Sequence, residues 1–280
     1  MPSTPKDRDA AWAALRGPYD PAGLAALAHP PWREVRLVAE TGSTNADLAA
    51  LARAGEAGGL VLVAERQTAG KGRLGRAWAA PEGACVTASV LVRPAAPPAR
   101  LGWLPLLTGL AVAEALETLS APADVKWPND VLLGDAKVAG ILAERIPDPA
   151  GAATAVVLGF GVNVALDADE RPVAGATSLR LAGAPPTGRA EVLAAVLARL
   201  GMLLDEWEAH AGDPRASGLR DRYVARCATV GRAVTVALPG GEALDGHAVD
   251  IDVDGRLVVE TAAGARRIVS AGDVVHATHA

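Results

Sequence analysis

The chain has 280 residues, half of them apolar, and a formal net charge of −5 at pH 7. That is enough apolar material for one sizeable core and a small second domain, and the acidic balance argues against a general nucleic-acid binder. No apolar run approaches membrane-spanning length, the longest, around Leu104–Leu119, being broken by Thr108 and Glu114; "MPSTPKDRDA" carries no apolar signal core, and Cys85 and Cys227 have no metal-type spacing, so a reducing cytoplasm is expected.

Residues 1 to 33 are rich in Pro and Ala, with a short helix expected near Pro21–Ala28. "REVRLVAE" then reads as a strand. "STNADLAALARAGE" reads as a helix capped by Ser43, Thr44 or Asn45 and ended by Gly55. "LVLVAE" and "CVTASVLV" are strands, and between them lies "QTAGKGRLGRAW". Its Gly70-Lys71-Gly72-Arg73-Leu74-Gly75 matches the dinucleotide fingerprint G-x-G-x-x-G. That fingerprint needs a helix opening on the last glycine and an acidic residue about 20 positions on. Here Pro81 and Gly83 break any helix, and no Asp or Glu occurs between Glu82 and Glu114. A Walker A loop is excluded because Gly72 follows Lys71 where Ser or Thr should stand. What remains is strand, basic glycine loop, strand: a device that offers backbone N–H groups and cations to phosphates or carboxylates.

"LPLLTGLAVAEALETL" is a buried helix. "VKWPND" is extended and enters a turn, since Pro128 disfavours helical geometry at Trp127. "VLL" and "KVAGILAERI" form a hairpin about Gly134-Asp135, and "TAVVLGFGVNV" is a core strand. Thr187 caps a long helix in which Leu193, Val196, Leu197, Leu200, Leu203, Leu204 and Trp207 form an apolar stripe. A second helix spans roughly Ala216–Cys227. From Val230 the apolar period becomes two: Val234, Val236, Leu238, then Val249, Ile251, Val253, with turns at "PGGE" and "DVDGR". These residues predict a small all-β domain.

Lys, Asn and Gln are scarce, and residues that survive such a bias are there for their chemistry. Apart from Lys6, all of them fall in "GSTNADL", "RQTAGKGRLGR", "KWPND", "DAKVAGI" and "GFGVNV". The five histidines lie outside these stretches, no G-x-S-x-G occurs, and no metal-type cluster of His, Cys and Asp is present. The clustered set is cations (Lys71, Arg73, Arg76, Lys126, Lys137), amides (Asn45, Gln67, Asn129, Asn163) and the carboxylate Asp130. Such a set suits a reaction between two anions, for instance a carboxylate attacking the α-phosphate of ATP, carried by positioning and charge neutralisation. Mg²⁺ bridging the triphosphate would need few protein ligands.

In this order, "STN", "QTAGKGRLGRAW", "KWPND", "KVAGIL" and "GFGVNV" resemble the biotin- and adenylate-binding motifs of biotin protein ligases, and the resemblance covers roughly residues 36 to 280. It implies an α+β fold: a mixed-sheet catalytic domain like that of class II aminoacyl-tRNA synthetases, then a small SH3-like β-barrel. The expected division is an N-terminal extension (1–35), a catalytic domain (36–228) and the SH3-like domain (229–280). The implied activity makes biotinyl-5′-AMP from biotin and ATP, with Mg²⁺ accompanying ATP. It then transfers biotin to a lysine of a biotin carboxyl carrier domain of an acyl-CoA carboxylase.

Carried over by position, the resemblance places Ser43, Thr44 and Gln67 at the ureido ring of biotin, with Asn45 also in the biotin site. Gly70, Gly72, Arg73 and Gly75 form the covering loop, with Arg73 and Arg76 on carboxylate and phosphate oxygens. Lys137 holds the developing charge, and Gly140 allows close backbone approach. Trp78 and Asn163 stand near adenine, with Lys126, Asn129 and Asp130 on the nucleotide and acceptor side. Lys71 departs from the family, standing where Arg is common. Only 42 residues precede Ser43, too few for the DNA-binding domain of the repressor type plus a first strand, so neither DNA nor a membrane is an expected partner. The competing readings are a lipoyl or octanoyl transferase, a DNA-binding repressor without catalysis, and a binding protein without turnover.

Overall fold

The computed structural model describes residues 5–147, 154–238 and 241–276. The chain opens with two helices, α1 (Pro5–Ala14) and α2 (Pro21–Ala25). Asp20 caps α2 by accepting from the backbone N–H groups of Ala22 and Gly23 at 3.2 and 2.9 Å. The helix ends at Ala25, earlier than the run to Ala28 suggests. Strand β1 (Glu34–Thr41), helix α3 (Thr44–Arg53) and strand β2 (Leu60–Gln67) follow. A 3₁₀ turn, Arg73–Gly75, occupies the basic loop before β3 (Cys85–Val92). The 3₁₀ segment Pro98–Trp103 leads into α4 (Leu104–Thr118). Then come β4 (Asp124–Lys126), β5 (Asp130–Leu133), β6 (Ala136–Ile146) and β7 (Ala155–Asn163). Helices α5 (Arg189–Ala209) and α6 (Leu219–Ala225) lead to the last five strands.

Strands β1 to β7 form one sheet in the order β1-β2-β3-β7-β6-β5-β4, with β1–β2 parallel and the remaining pairs antiparallel. The expected hairpin at Gly134-Asp135 joins β5 to β6, with Gly134 at φ 60°. Alternation along the central strands divides the sheet into two faces. Val86, Ala88, Val90 and Val92 of β3, and Val156, Leu158, Phe160 and Val162 of β7, pack in the large core with α4 and α5. Leu91 and Val157, of opposite parity, pack with Leu48, Ala49 and Ala52 of α3. Helix α3 covers only one end of that second face. The rest carries the cavity described below.

Three expectations need correction. The stretch Pro98–Thr118 is long and apolar enough to cross a membrane (mean hydropathy 1.2), because the 3₁₀ segment extends α4. However, 78% of its most apolar window is buried inside the fold. Thr187 does not cap α5. Gly188 is the cap residue, and the Thr187 hydroxyl donates to the Pro185 carbonyl at 3.0 Å. Ser43 is the cap residue of α3, but only through its backbone: its carbonyl accepts from Asp47 N–H at 3.0 Å, and its side chain makes no capping bond. All seven residues of the α5 stripe are buried. Helix α6 starts three residues later than expected. The N-terminal residues are built into the large core, with Trp12, Tyr19, Leu24 and Trp32 all buried in it. Trp32 Nε1 donates to the Leu197 carbonyl at 2.8 Å, and Arg189 reaches both the Gly17 carbonyl (2.7 Å) and Glu65 (2.8 Å).

Strands β8 (Ala233–Ala237), β9 (Ala243–Ile251), β10 (Leu257–Glu260), β11 (Arg266–Val269) and β12 (Asp273–His276) form an antiparallel SH3-like sheet, ordered β11-β10-β9-β8-β12. Val234 and Val236 are buried as the period-two reading requires, but Val249 and Val253 are not. A register shift between Val258 and Val259 makes Ala248 and Ile251 the core positions of that strand. The turn at Asp252–Arg256 is present, Asp252 N–H donating to the Arg256 carbonyl at 2.9 Å. The turn at 239–242 and His279 lie wholly or partly outside the described residues. The small sheet docks through indole N–H groups: Trp127 Nε1 donates to the Gly255 carbonyl (3.0 Å) and Trp103 Nε1 to the Val253 carbonyl (2.8 Å).

Candidate active site

The cavity, about 280 Å³, opens on the face of the large sheet that α3 leaves uncovered. Cross-strand register arranges its floor in rows. The first is Ser89, Gly159 and Leu142, the second Thr87, Gly161, Gly140 and Asp130, the third Cys85 and Asn163. Successive rows are two residues, hence about 7 Å, apart. The alternation in "GFGVN" strips side chains from this face: Gly159 and Gly161 point into the cavity, while Phe160 and Val162 belong to the core. A Cβ at Gly159 would stand 2.1 Å from Asn45 Oδ1, and one at Gly161 would stand 2.3 Å from the Trp78 indole.

Uncharged polar groups from α3, β2 and β3 crowd the first row. Ser43, Thr44 and Asn45 start α3 and are buried. Gln67 Oε1 accepts from Thr44 N–H at 2.8 Å and lies 3.0 Å from Thr44 Oγ1. Thr44 Oγ1 is 2.6 Å from Ser89 Oγ, which donates to Asn45 Oδ1 at 2.6 Å. Asn45 Nδ2 donates to Glu144 at 2.7 Å and to the Leu142 carbonyl at 3.2 Å.

Charge gathers at the second row and in the loop above it. Lys137 Nζ is 2.5 Å from Asp130 Oδ1 and 6.0 Å from the centre of the Trp78 ring. Gly140 makes room for both: a Cβ there would be 3.1 Å from the indole and 3.2 Å from Lys137 Cε and Nζ. The loop closes on itself, Gly72 N–H donating to the Arg76 carbonyl (2.6 Å) and Trp78 N–H to the Gly70 carbonyl (2.8 Å). Its tip turns through left-handed backbone at Leu74 (φ 54°) and Gly75 (φ 74°). A Cβ at Gly70 would be 2.5 Å from the Trp78 carbonyl, so the loop base needs glycine. Arg73 donates to Asn129 Oδ1 at 3.0 Å, and Asn129 Nδ2 to the Ile141 carbonyl at 3.0 Å. Burial holds the Arg73 guanidinium below its ordinary pKa, with Arg76 adding to the effect and Asp273 and Asp130 opposing it. Arg76 pairs with Asp273 of β12 at 2.7 Å. Among the described residues the buried Trp78 Nε1 donor has no partner.

Of the residues singled out in the sequence, Ser43, Thr44, Asn45, Gln67, Lys71, Gly72, Arg73, Arg76, Trp78, Asn129, Asp130, Lys137, Gly140 and Asn163 line this one cavity. Gly70 and Gly75 shape the loop without lining it. Lys126 stays outside, close enough to His276 to help lower its pKa. Asn163 lines the third row with its amide already engaged, Nδ2 donating to the Thr177 carbonyl (2.9 Å) and Oδ1 accepting from Cys85 (3.4 Å). Burial pushes the Cys85 thiol up to about 12, which removes it as a nucleophile. The sequence reading missed Thr87 and Ser89. Two polar residues two apart in an apolar strand were the signal for them. It also missed Asp273, which no local pattern marks. Among the described residues no group of three His, Cys, Asp or Glu side chains could hold a metal ion.

The description Biotin/lipoate A/B protein ligase family matches residues 41–163, and Biotin protein ligase C terminal domain matches residues 229–277. The chain is 45% identical over 251 residues to a Biotin--[acetyl-CoA-carboxylase] ligase of Mycobacterium tuberculosis, covering 88% of this chain and 90% of that one. It is 33% identical to a Biotin--[acetyl-CoA-carboxylase] ligase of Paracoccus denitrificans, over 85% of this chain and 98% of its relative. The structure of a biotin protein ligase from Aquifex aeolicus in complex with biotin and ATP superposes with a TM-score of 0.72 at 28% identity, covering 89% of this chain and all of that one. With both matched segments in sequence order, most of the polar cavity's lining in the first of them, and 45% identity along nearly the whole of a relative, the chain belongs to the biotin protein ligase family.

Proposed function

We propose that the protein is an ATP-dependent ligase that joins biotin to AMP and then transfers the biotinyl group to a lysine of a biotin carboxyl carrier domain. One observation carries this reading: an uncharged hydrogen-bonding end, one row of the sheet away from a cluster of cations. That spacing suits a ligand with a cyclic urea at one end and a carboxylate at the other. Thr44, Ser89 and Gln67 pair with the urea, whose N–H and C=O groups would be costly to bury unpaired. The aliphatic chain crosses the floor beside Gly161 and Trp78. Its carboxylate then meets Lys137.

In the first half-reaction a biotin carboxylate oxygen bonds to the α-phosphorus of ATP and the bond to pyrophosphate breaks. Both partners are anions, so the work of the protein is to hold them together and offset their repulsion. Lys137 sits at the junction of carboxylate and α-phosphate. Arg73, Arg76 and Lys71 bring further positive charge and backbone N–H groups from the loop. Asp130, the carboxylate among the cavity-lining residues, would help hold a Mg²⁺ ion brought with the triphosphate, which would offset further phosphate charge. Arg73 and the closed loop keep the mixed anhydride from water until a carrier lysine attacks its carbonyl and releases AMP. The acceptor is the carrier domain of an acyl-CoA carboxylase, and the cytoplasm is where it is met. DNA plays no part.

ATP–pyrophosphate exchange tests the reading. Biotin should support exchange, lipoate and octanoate should not, and a purified carrier domain should then gain one biotin. Exchange that responds to lipoate instead would reassign the protein to the lipoyl or octanoyl branch of the same fold. The match of residues 229–277 to a biotin ligase C-terminal domain favours biotin.

A further inference from the structure

The hydrogen bonds behind the first row end on a residue outside the cavity. Glu144 pairs with Val157 on the next row back, and its carboxylate is 2.7 Å from Asn45 Nδ2. Resting on the proposed function, we infer that Glu144 is a positioning residue that fixes the hydrogen-bond polarity of the ureido-binding end.

The inference follows from counting hydrogens. A carboxylate only accepts, so the group it faces on Asn45 must be the NH₂. The Leu142 carbonyl, 3.2 Å from the same nitrogen, demands the same orientation. Asn45 therefore turns Oδ1 toward Ser89, whose single hydrogen is committed to it at 2.6 Å. Ser89 Oγ then has only lone pairs for Thr44, 2.6 Å away, so the Thr44 hydrogen points to Ser89. Three oxygen–oxygen contacts run from Gln67 to Asn45, yet two hydroxyls supply only two hydrogens. The two 2.6 Å contacts take them, and the 3.0 Å contact between Thr44 and Gln67 is left with at most a shared one. The Thr44 and Ser89 hydroxyl hydrogens are thus directed away from the cavity toward Glu144. Thr44 offers lone pairs to the ligand, as an N–H donor on a cyclic urea requires. Gln67 Oε1 is likewise held by Thr44 N–H, which turns its NH₂ the other way and makes it available to a carbonyl.

Without the carboxylate, only the longer contact to the Leu142 carbonyl opposes the reverse orientation, in which Asn45 flips, Ser89 donates to Thr44, and Thr44 donates to Gln67 Oε1 3.0 Å away. Thr44 Oγ1 then accepts from Ser89 and loses one of the lone pairs it offered to the ligand. The glycine at 159 belongs to the same arrangement, since a Cβ there would displace the Asn45 amide.

Pyrophosphate exchange on the full-length chain, with biotin and ATP varied separately, tests the assignment. Glu144→Gln keeps size and shape but can present either face of its amide. It should raise the KM for biotin about tenfold, a lost or inverted hydrogen bond's worth, with the KM for ATP, kcat and Tm close to the parent. A biotin KM unchanged in Glu144→Gln overturns the inference. So does a loss shared equally by ATP and Tm. Neutron diffraction on the deuterated free protein reads the same point without any ligand. A Ser89 deuteron directed at Asn45 supports the assignment and one directed at Thr44 overturns it. A parent enzyme indifferent to biotin would count against the proposed function alone, and the deuteron position would still decide the relay.

Discussion

Lys137 is one of four lysines in a chain with 23 arginines, so a surface cation of no special role would be Arg. Its ammonium lies beside Gly140, against Asp130 and over the Trp78 ring, a compact charge where a guanidinium would be larger and would hold its donors in one fixed plane. Lys137→Arg should therefore keep the fold and lose at least about tenfold in single-turnover adenylate formation, roughly 1.4 kcal/mol of transition-state stabilisation. A variant within twofold of the parent would show that positive charge alone suffices. Gly161 gives the opposite kind of test. Alanine in a strand is favoured over glycine by about 0.5–1 kcal/mol, yet the new Cβ would stand 2.3 Å from the indole of Trp78. The ring is the end of a side chain and can move. Gly161→Ala should hold or slightly raise Tm while weakening biotin binding at least tenfold by calorimetry. Equal affinity would mean that the resting place of Trp78 is irrelevant to the ligand.

At the scale of elements, the basic loop is tied to the small sheet by one ion pair, Arg76 to Asp273. The two side chains are 60% and 40% exposed, so the pair contributes at most about 1 kcal/mol. It is therefore weak enough for a triphosphate to replace. Asp273→Asn should speed hydrogen exchange at 70–76 in the free protein and leave the biotin KM alone, while the KM for ATP stays level or falls. Unchanged exchange would mean that the loop is held by its own backbone bonds only. This pair also marks what the sequence could not disclose. The stretches that converge on the cavity were legible because scarce residue types mark chemistry wherever they fall, and the strands because alternation survives in "CVTASVLV". Asp273 and Glu144 were not legible, because each acquires its role from a partner on a distant segment, about which local pattern is silent. The cap of α5 was misread for a simpler reason: Thr187 is a good capping residue by type, but its hydroxyl is spent on Pro185. Val249 failed because one shifted register reverses which residues face inward.

For the molecule as a whole, the junction between the two sheets contains a titrating group. His276 of β12 lies 3.2 Å from Thr229 Oγ1, which accepts from Trp127 N–H. Its pKa is pushed down to about 4, chiefly by burial and then by Lys126 and Arg232, with Asp135 opposing. An unfolded histidine takes its proton near pH 6.5. Between about pH 6.5 and 4 the unfolded chain thus binds a proton that the folded chain refuses, and stability falls as pH falls through that window. The parent should lose more Tm between pH 7.5 and 5 than His276→Gln does. Parallel curves would show that the junction does not sense pH. The two faces of the large sheet have a different consequence. Along β7 one set of alternate residues, Val156, Leu158, Phe160 and Val162, holds the molecule together, and the intervening set, Gly159, Gly161 and Asn163, lines the cavity. Cohesion and selectivity are thus written on the same strand in interleaved letters. A designer could rewrite the second set for a differently shaped acid without disturbing the first, and natural variation could drift toward new substrates by the same route.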